Sequence, residues 1–76
     1  MTDASISSFL LDSRETAILE TLRSNAGRVV TRTELAVAAG LRHQPRRVDV
    51  HLVNVRRHVG EARLVNVRSR GWMLIR

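Results

Sequence analysis

The sequence predicts an α+β fold in which three short helices are followed by a C-terminal β-hairpin. Three observations predict it. Two capping-box pairs, Asp12 with Glu15 and Thr31 with Glu34, each stand before an apolar run at helical spacing. In a third segment, residues 45–59, Val48, Leu52, Val55 and Val59 fall at i, i+4, i+7 and i+11, the stripe of an amphipathic helix. Beyond Gly60 the period shortens: Val65 and Val67, then Trp72 and Leu74, recur every second residue, as strands require.

Taken in order, residues 1–8, with three Ser, read as a flexible N-terminus, and residues 9–76 as one domain. Phe9-Leu10-Leu11 is a short apolar run suited to a strand. The first helix opens near Ser13 and turns Ile18, Leu19 and Leu22 inward; Asn25-Ala26-Gly27 ends it, with Gly at the left-handed position. Val29-Val30 is an extended link. The second helix runs from Thr31 to about Ala39, with Leu35, Ala38 and Ala39 as its inner face, and Gly40 stops it. Residues 40–45 form a loop, and Pro45 suits the first turn of the third helix because it has no amide to leave unpaired. In the hairpin, residues 64–75, pairing Val67 with Trp72 and Val65 with Leu74 puts all four on one buried face. That register leaves Arg68-Ser69-Arg70-Gly71 as a four-residue tip.

The totals narrow the function. Seventy-six residues make one small domain, in which a deep enclosed active site is not expected. There is no Cys, hence no disulfide and no Cys-based zinc site. Nothing approaches the roughly 20 apolar residues of a membrane span, and the polar, acidic start is unlike a signal peptide, so the expected location is cytoplasmic and nucleoid-associated. All 13 basic residues are Arg. Residues 1–38 hold 4 Arg against 5 acids, whereas residues 39–76 hold 9 Arg against 2 acids, so the net charge of +6 sits wholly in the second half. Charge of one sign gathered in half a domain is the footprint of a polyanion partner, and guanidinium forks suit phosphates and guanine edges. A membrane surface is disfavoured, since no basic helix has an opposite face free to enter lipid.

The third helix has a second face to match. Arg47, His51, Asn54 and His58 share one side, flanked by Arg46, Val50 and Arg57. Basic residues also occupy the hairpin tip, at Arg68 and Arg70. Three helices and a hairpin, with the last helix and the tip both basic, form a winged helix-turn-helix arrangement with double-stranded DNA as the expected partner.

The residues that carry this arrangement resemble a known family. Gly27-Arg28-Val29-Val30-Thr31-Arg32-Thr33-Glu34-Leu35, then Arg47-Val48-Asp49-Val50-His51-Leu52 with Val55-Arg56 and Val59-Gly60, and finally Val67-Arg68 with Gly71-Trp72, are similar to the OmpR/PhoB-type effector domain of response regulators. The likeness covers residues 11–75. It implies a transcription regulator that binds duplex DNA sequence-specifically, often as tandem copies on direct repeats. It also implies that the third helix occupies the major groove and the wing arginine the adjacent minor groove. Carried over by position, Arg46, Val50, His51, Asn54 and Arg57 face the bases, Arg47 and Arg56 meet phosphates, and Arg68, joined by Arg70, serves the wing. The departures are specific. Val53 is apolar and Asn54 uncharged where the family usually has polar or basic residues, so no sequence preference is inherited. The loop before the third helix, used in the family to touch RNA polymerase, is cut to residues 40–45. Ser69 replaces the first glycine of the wing, and only residues 5–11 stand where the family has a four-stranded sheet.

Individual side chains admit more than one reading. Val50 either touches a thymine methyl or borders the core. His51 contacts backbone or a neighbouring side chain, Asp49 orients an arginine rather than reading a base, and Trp72 anchors the wing. His43, His51 and His58 lack an acidic or Cys partner for a metal site. No cofactor is expected. Neither is catalysis: the acids mostly cap helices, no Ser or Thr has a His–acid partner, and no glycine-rich phosphate loop occurs. The alternatives to a regulator are a winged-helix adaptor for a protein partner, RNA polymerase among them, and the DNA-binding tail of a larger regulator or enzyme.

Overall fold

Asp12 starts the first helix: its carboxylate accepts the Glu15 amide at 2.8 Å, and Glu15 Oε1 accepts the Asp12 amide at 3.2 Å. In the computed structural model, which describes residues 11–76, this reciprocal cap opens α1 (Ser13–Ser24). Thr31 and Glu34 repeat the device for α2 (Arg32–Ala38), with bonds of 3.1 and 2.8 Å. Both capping boxes and both helix starts are as the sequence predicts. The inner face of α2 differs, for Leu35, Ala36 and Ala39 are buried while Ala38 is half-buried. The helix is short, and a rotation that turns Ala36 inward lets Leu35 fill the centre of the core.

The segment predicted as one helix over residues 45–59 is divided. Pro45–Arg47 form a 3-10 turn, and α3 proper is Val48–Val59. Its stripe lies as expected: Val48, Leu52 and Val55 are buried and Val59 packs against the core. After a second 3-10 turn, Glu61–Arg63, come β1 (Leu64–Val67) and β2 (Gly71–Leu74). Helix α1 packs on α2 and α3, and the hairpin closes over the group. Ile18, Leu22, Leu35, Val48, Val55 and Leu64 are the large side chains at its centre.

The hairpin register departs by one residue from the expected pairing. Leu64 pairs with Leu74, Val65 with Met73, Asn66 with Trp72 and Val67 with Gly71. Leu64, Trp72 and Leu74 therefore take the core face, while Val65 and Val67 are half-buried on the other. The tip shortens to Arg68-Ser69-Arg70. The Arg70 amide closes on the Val67 carbonyl at 2.9 Å, and Ser69 takes a left-handed φ of 63°. In this register Leu64 is 1% exposed, and the same phase lets Trp72 exchange backbone bonds with Val30 on the other edge of β2.

A third segment joins the hairpin. Val30 and Trp72 exchange both backbone bonds, at 2.7 and 2.9 Å, so β2 is paired on both edges, and the Gly27 amide adds a bond to the Leu74 carbonyl at 2.8 Å. The extended link expected at Val29-Val30 is thus a sheet contact. Gly71 makes it possible. A Cβ there would stand 2.1 Å from the Val30 carbonyl oxygen. Of the run expected as an N-terminal strand, Phe9 and Leu10 lie outside the described residues, as does the expected flexible segment 1–8. Leu11 is irregular and packs against the core.

Candidate nucleic-acid interface

The buried stripe of α3 fixes what the helix presents outward. Opposite Val48, Leu52 and Val55 stand Val50, Val53 and Arg57, with Arg46 extending the same row from the preceding turn, and all four are exposed. Asn54 borders this row and is also exposed. The predicted base-facing residues Arg46, Val50, Asn54 and Arg57 therefore share one exposed surface. Val53, set aside in the sequence as a departure, lies at its middle.

His51 lies to one side. Its Nδ1 is 2.7 Å from Glu15 Oε2, and that same oxygen accepts a bond from Asn54 Nδ2 at 2.9 Å. Glu15 is buried, and the pairing fastens α1 to α3. Burial pushes the Glu15 carboxyl upward, but the bonds from His51, Asn54 and the Asp12 amide outweigh it and hold the group below its ordinary range. His51 thus contacts a neighbouring side chain, one of the two outcomes expected from its sequence. The sequence gives no sign that Glu15 serves both the cap and this cluster. Asp12, Glu15 and His51 bring candidate ligand atoms within 4.8 Å of one another, so His51 does have acidic neighbours, contrary to expectation. Asp12 Oδ1 and Glu15 Oε1 serve the helix cap and Glu15 Oε2 the bonds to α3, while Asp12 Oδ2 lies 3.7 Å from His51 Nδ1.

On the other flank Arg32 reaches Asp49 through two bonds, Nε to Oδ1 and Nη2 to Oδ2, both 3.1 Å. Asp49 orients an arginine, as its place in a basic helix suggests. The same guanidinium lies 5.2 Å from the Trp72 ring centre, so one side chain of α2 touches both α3 and the wing. Arg56, expected on phosphate, is instead half-buried, with Nε and Nη2 bonded to the Leu64 carbonyl at 3.2 and 3.0 Å. It clamps the turn that leads from α3 into β1. A fork within reach of a bare carbonyl finds that partner in the folded chain itself.

Arg47 is exposed at the start of α3, its Nη1 3.3 Å from Gln44 Oε1. Arg68 and Arg70 are exposed at the tip, and Arg70 with Arg32, Asn66 and Trp72 borders a shallow cavity of about 250 Å³ at the wing base. Arg46, Arg47 and Arg57 along α3, and Arg68 and Arg70 at the tip, are thus exposed in two groups, with further exposed arginines elsewhere on the surface.

A family model described as the C-terminal domain of transcriptional regulatory proteins matches residues 7–74. The chain belongs to that family. The OmpR/PhoB-type resemblance and the winged fold it implies agree with the helices and hairpin described above. Members of the family are DNA-binding domains of transcriptional regulation rather than enzymes. A comparison with curated proteins gives no significant match. Among the described residues, no helix is long and apolar enough to cross a membrane.

Proposed function

We propose that the chain binds duplex DNA sequence-specifically, with α3 in the major groove and the Arg68–Arg70 tip in the neighbouring minor groove, as a nucleoid-associated transcription regulator. One observation carries this reading. Folding employs the inner and flanking residues of α3, yet leaves the row Arg46, Val50, Val53 and Arg57 exposed within the basic second half of the chain. Twelve residues make α3 about 18 Å long, enough to lie along a groove.

The roles follow from the partners each residue already has. Arg46 and Arg57 can reach guanine edges or phosphates from the two ends of the row. Asn54 can offer its amide oxygen while its nitrogen holds Glu15; a two-bond contact to adenine would require releasing Glu15. His51, turned onto Glu15, acts as a positioning residue. Arg47 meets the backbone at the start of α3, and Arg68 and Arg70 meet the minor groove and its phosphates. Tandem occupancy of direct repeats belongs to the same proposal and is supported by family membership alone. An RNA polymerase contact has less support, because residues 40–44 form a short connection whose Leu41 is buried in the core.

Chemical protection tests the two-groove reading. Dimethyl sulfate should find guanine N7 shielded over a short stretch and adenine N3 shielded beside it. Replacing Arg68 and Arg70 by Ala should abolish only the adenine protection. An adaptor role, favoured by the exposure of Val50 and Val53, would take over if no duplex were protected or shifted at low salt while a protein partner bound saturably.

A further inference from the structure

Val50 is 68% exposed and Val53 52%, while Val48, Val55 and Val59 on the same helix are buried or packed against the core. Fold stability does not ask for valine at either exposed position, since a helix surface is better served by Ala, Arg or Glu. The two residues are three apart, so they share one face and lie about 4.5 Å apart along the axis. That spacing is close to the 3.4 Å between successive nucleotides of one strand. Arg46 stands beyond Val50 and Arg57 beyond Val53, giving an apolar pair between two cations.

We infer that Val50 and Val53 form a methyl-reading ridge that selects thymines at neighbouring base pairs of the bound site. The inference rests on the DNA-binding reading above and names the base class read by the middle of the row. The major groove presents one apolar group, the C5 methyl of thymine, and a branched apolar side chain is the matching surface. Valine suits the task because its χ1 is already restricted, so little freedom is lost on contact. The flanking arginines complement the polyanion, which favours DNA over an apolar protein surface as the occupant. Each methyl removed from water contributes about 0.8 kcal/mol, a factor of about four in affinity.

The test is a uracil scan. The 76-residue chain is titrated against a duplex selected from a random library. Each thymine is then replaced in turn by deoxyuridine, which keeps the base pair and removes only the methyl. Two replacements, at the same or adjoining steps, should each weaken binding about fourfold. In Val50→Ala one of these penalties should disappear, and in Val53→Ala the other. Both substitutions lie on an exposed helix face, so each variant should fold, and circular dichroism is the check. A selected site without thymine in the protected stretch, a scan without penalties, or penalties unchanged in both variants would overturn the ridge while leaving DNA binding intact. Failure to bind any duplex would overturn both readings together.

Discussion

Arg32 and Asp49 meet in a two-bond fork, each bond 3.1 Å, that joins the start of α2 to the start of α3. With the guanidinium also lying over Trp72, the Arg32 side chain bridges α3 and the wing. Both side chains are nearly half exposed, at 45% and 48%, so the pair alone contributes only about 0.2–1 kcal/mol. Arg32→Ala should therefore cost more than Asp49→Asn, because it also uncovers the indole. Urea denaturation gives the order. Asp49→Asn should in addition tighten binding to random duplexes, since it removes an acid from the basic face. Equal stabilities for the two variants would show that the Trp72 contact contributes nothing.

The Glu15 cluster makes stability depend on acid. Because the folded carboxyl is held below its ordinary value of 4.5, the unfolded chain takes up its proton first as pH falls. The stabilisation is complete above the unfolded value and is lost as pH drops through the folded one. Glu34, held down by the Thr31 amide and hydroxyl, acts in the same direction. Thermal unfolding between pH 6 and 3 should show this decline. Glu15→Gln should be less stable at neutral pH and decline less steeply, and an unchanged slope would remove Glu15 from the account.

Gly71→Ala is expected to be among the most damaging single changes. Its Cβ would overlap the Val30 carbonyl, at a φ of 149° that side chains rarely adopt. A loss of about 3 kcal/mol follows from the clash and the strain together. Gly40→Ala offers the control: its φ is 74° with open space around the position, so only the left-handed conformation is penalised, by about 1–2 kcal/mol.

Arg68→Ala should weaken binding to all duplexes alike and reduce the slope of log affinity against log salt by about one. Arg56→Ala should act differently. Its guanidinium holds the Leu64 carbonyl, so its loss should appear first as reduced stability. A full unit change in salt slope with unaltered stability would return Arg56 to the phosphate.

The helices were legible because their signals are local. A capping box lies within four residues, and the stripe Val48, Leu52, Val55 repeats every turn. The hairpin register was not, because Leu64-Val65-Asn66-Val67 alternates acceptably in either phase and the tip can close with three residues or four. The double use of Glu15, the capture of Arg56 by Leu64 and the pairing of Val30 with Trp72 join residues 8 to 42 positions apart. No local pattern encodes such contacts. Val53 was visible as a departure from the family, but its place at the middle of the outward row required the helix to be set against its core.

The central claim is that α3 discriminates among duplex sequences, and one comparison tests it most directly. The chain is titrated against a library-selected duplex and against a scrambled duplex of equal length and composition, each at two salt concentrations. The account predicts about a thousandfold or greater preference for the selected duplex, with both affinities falling as salt rises. Equal affinities with equal salt slopes would contradict it, and would leave the basic second half of the chain as a binder of polyanions in general.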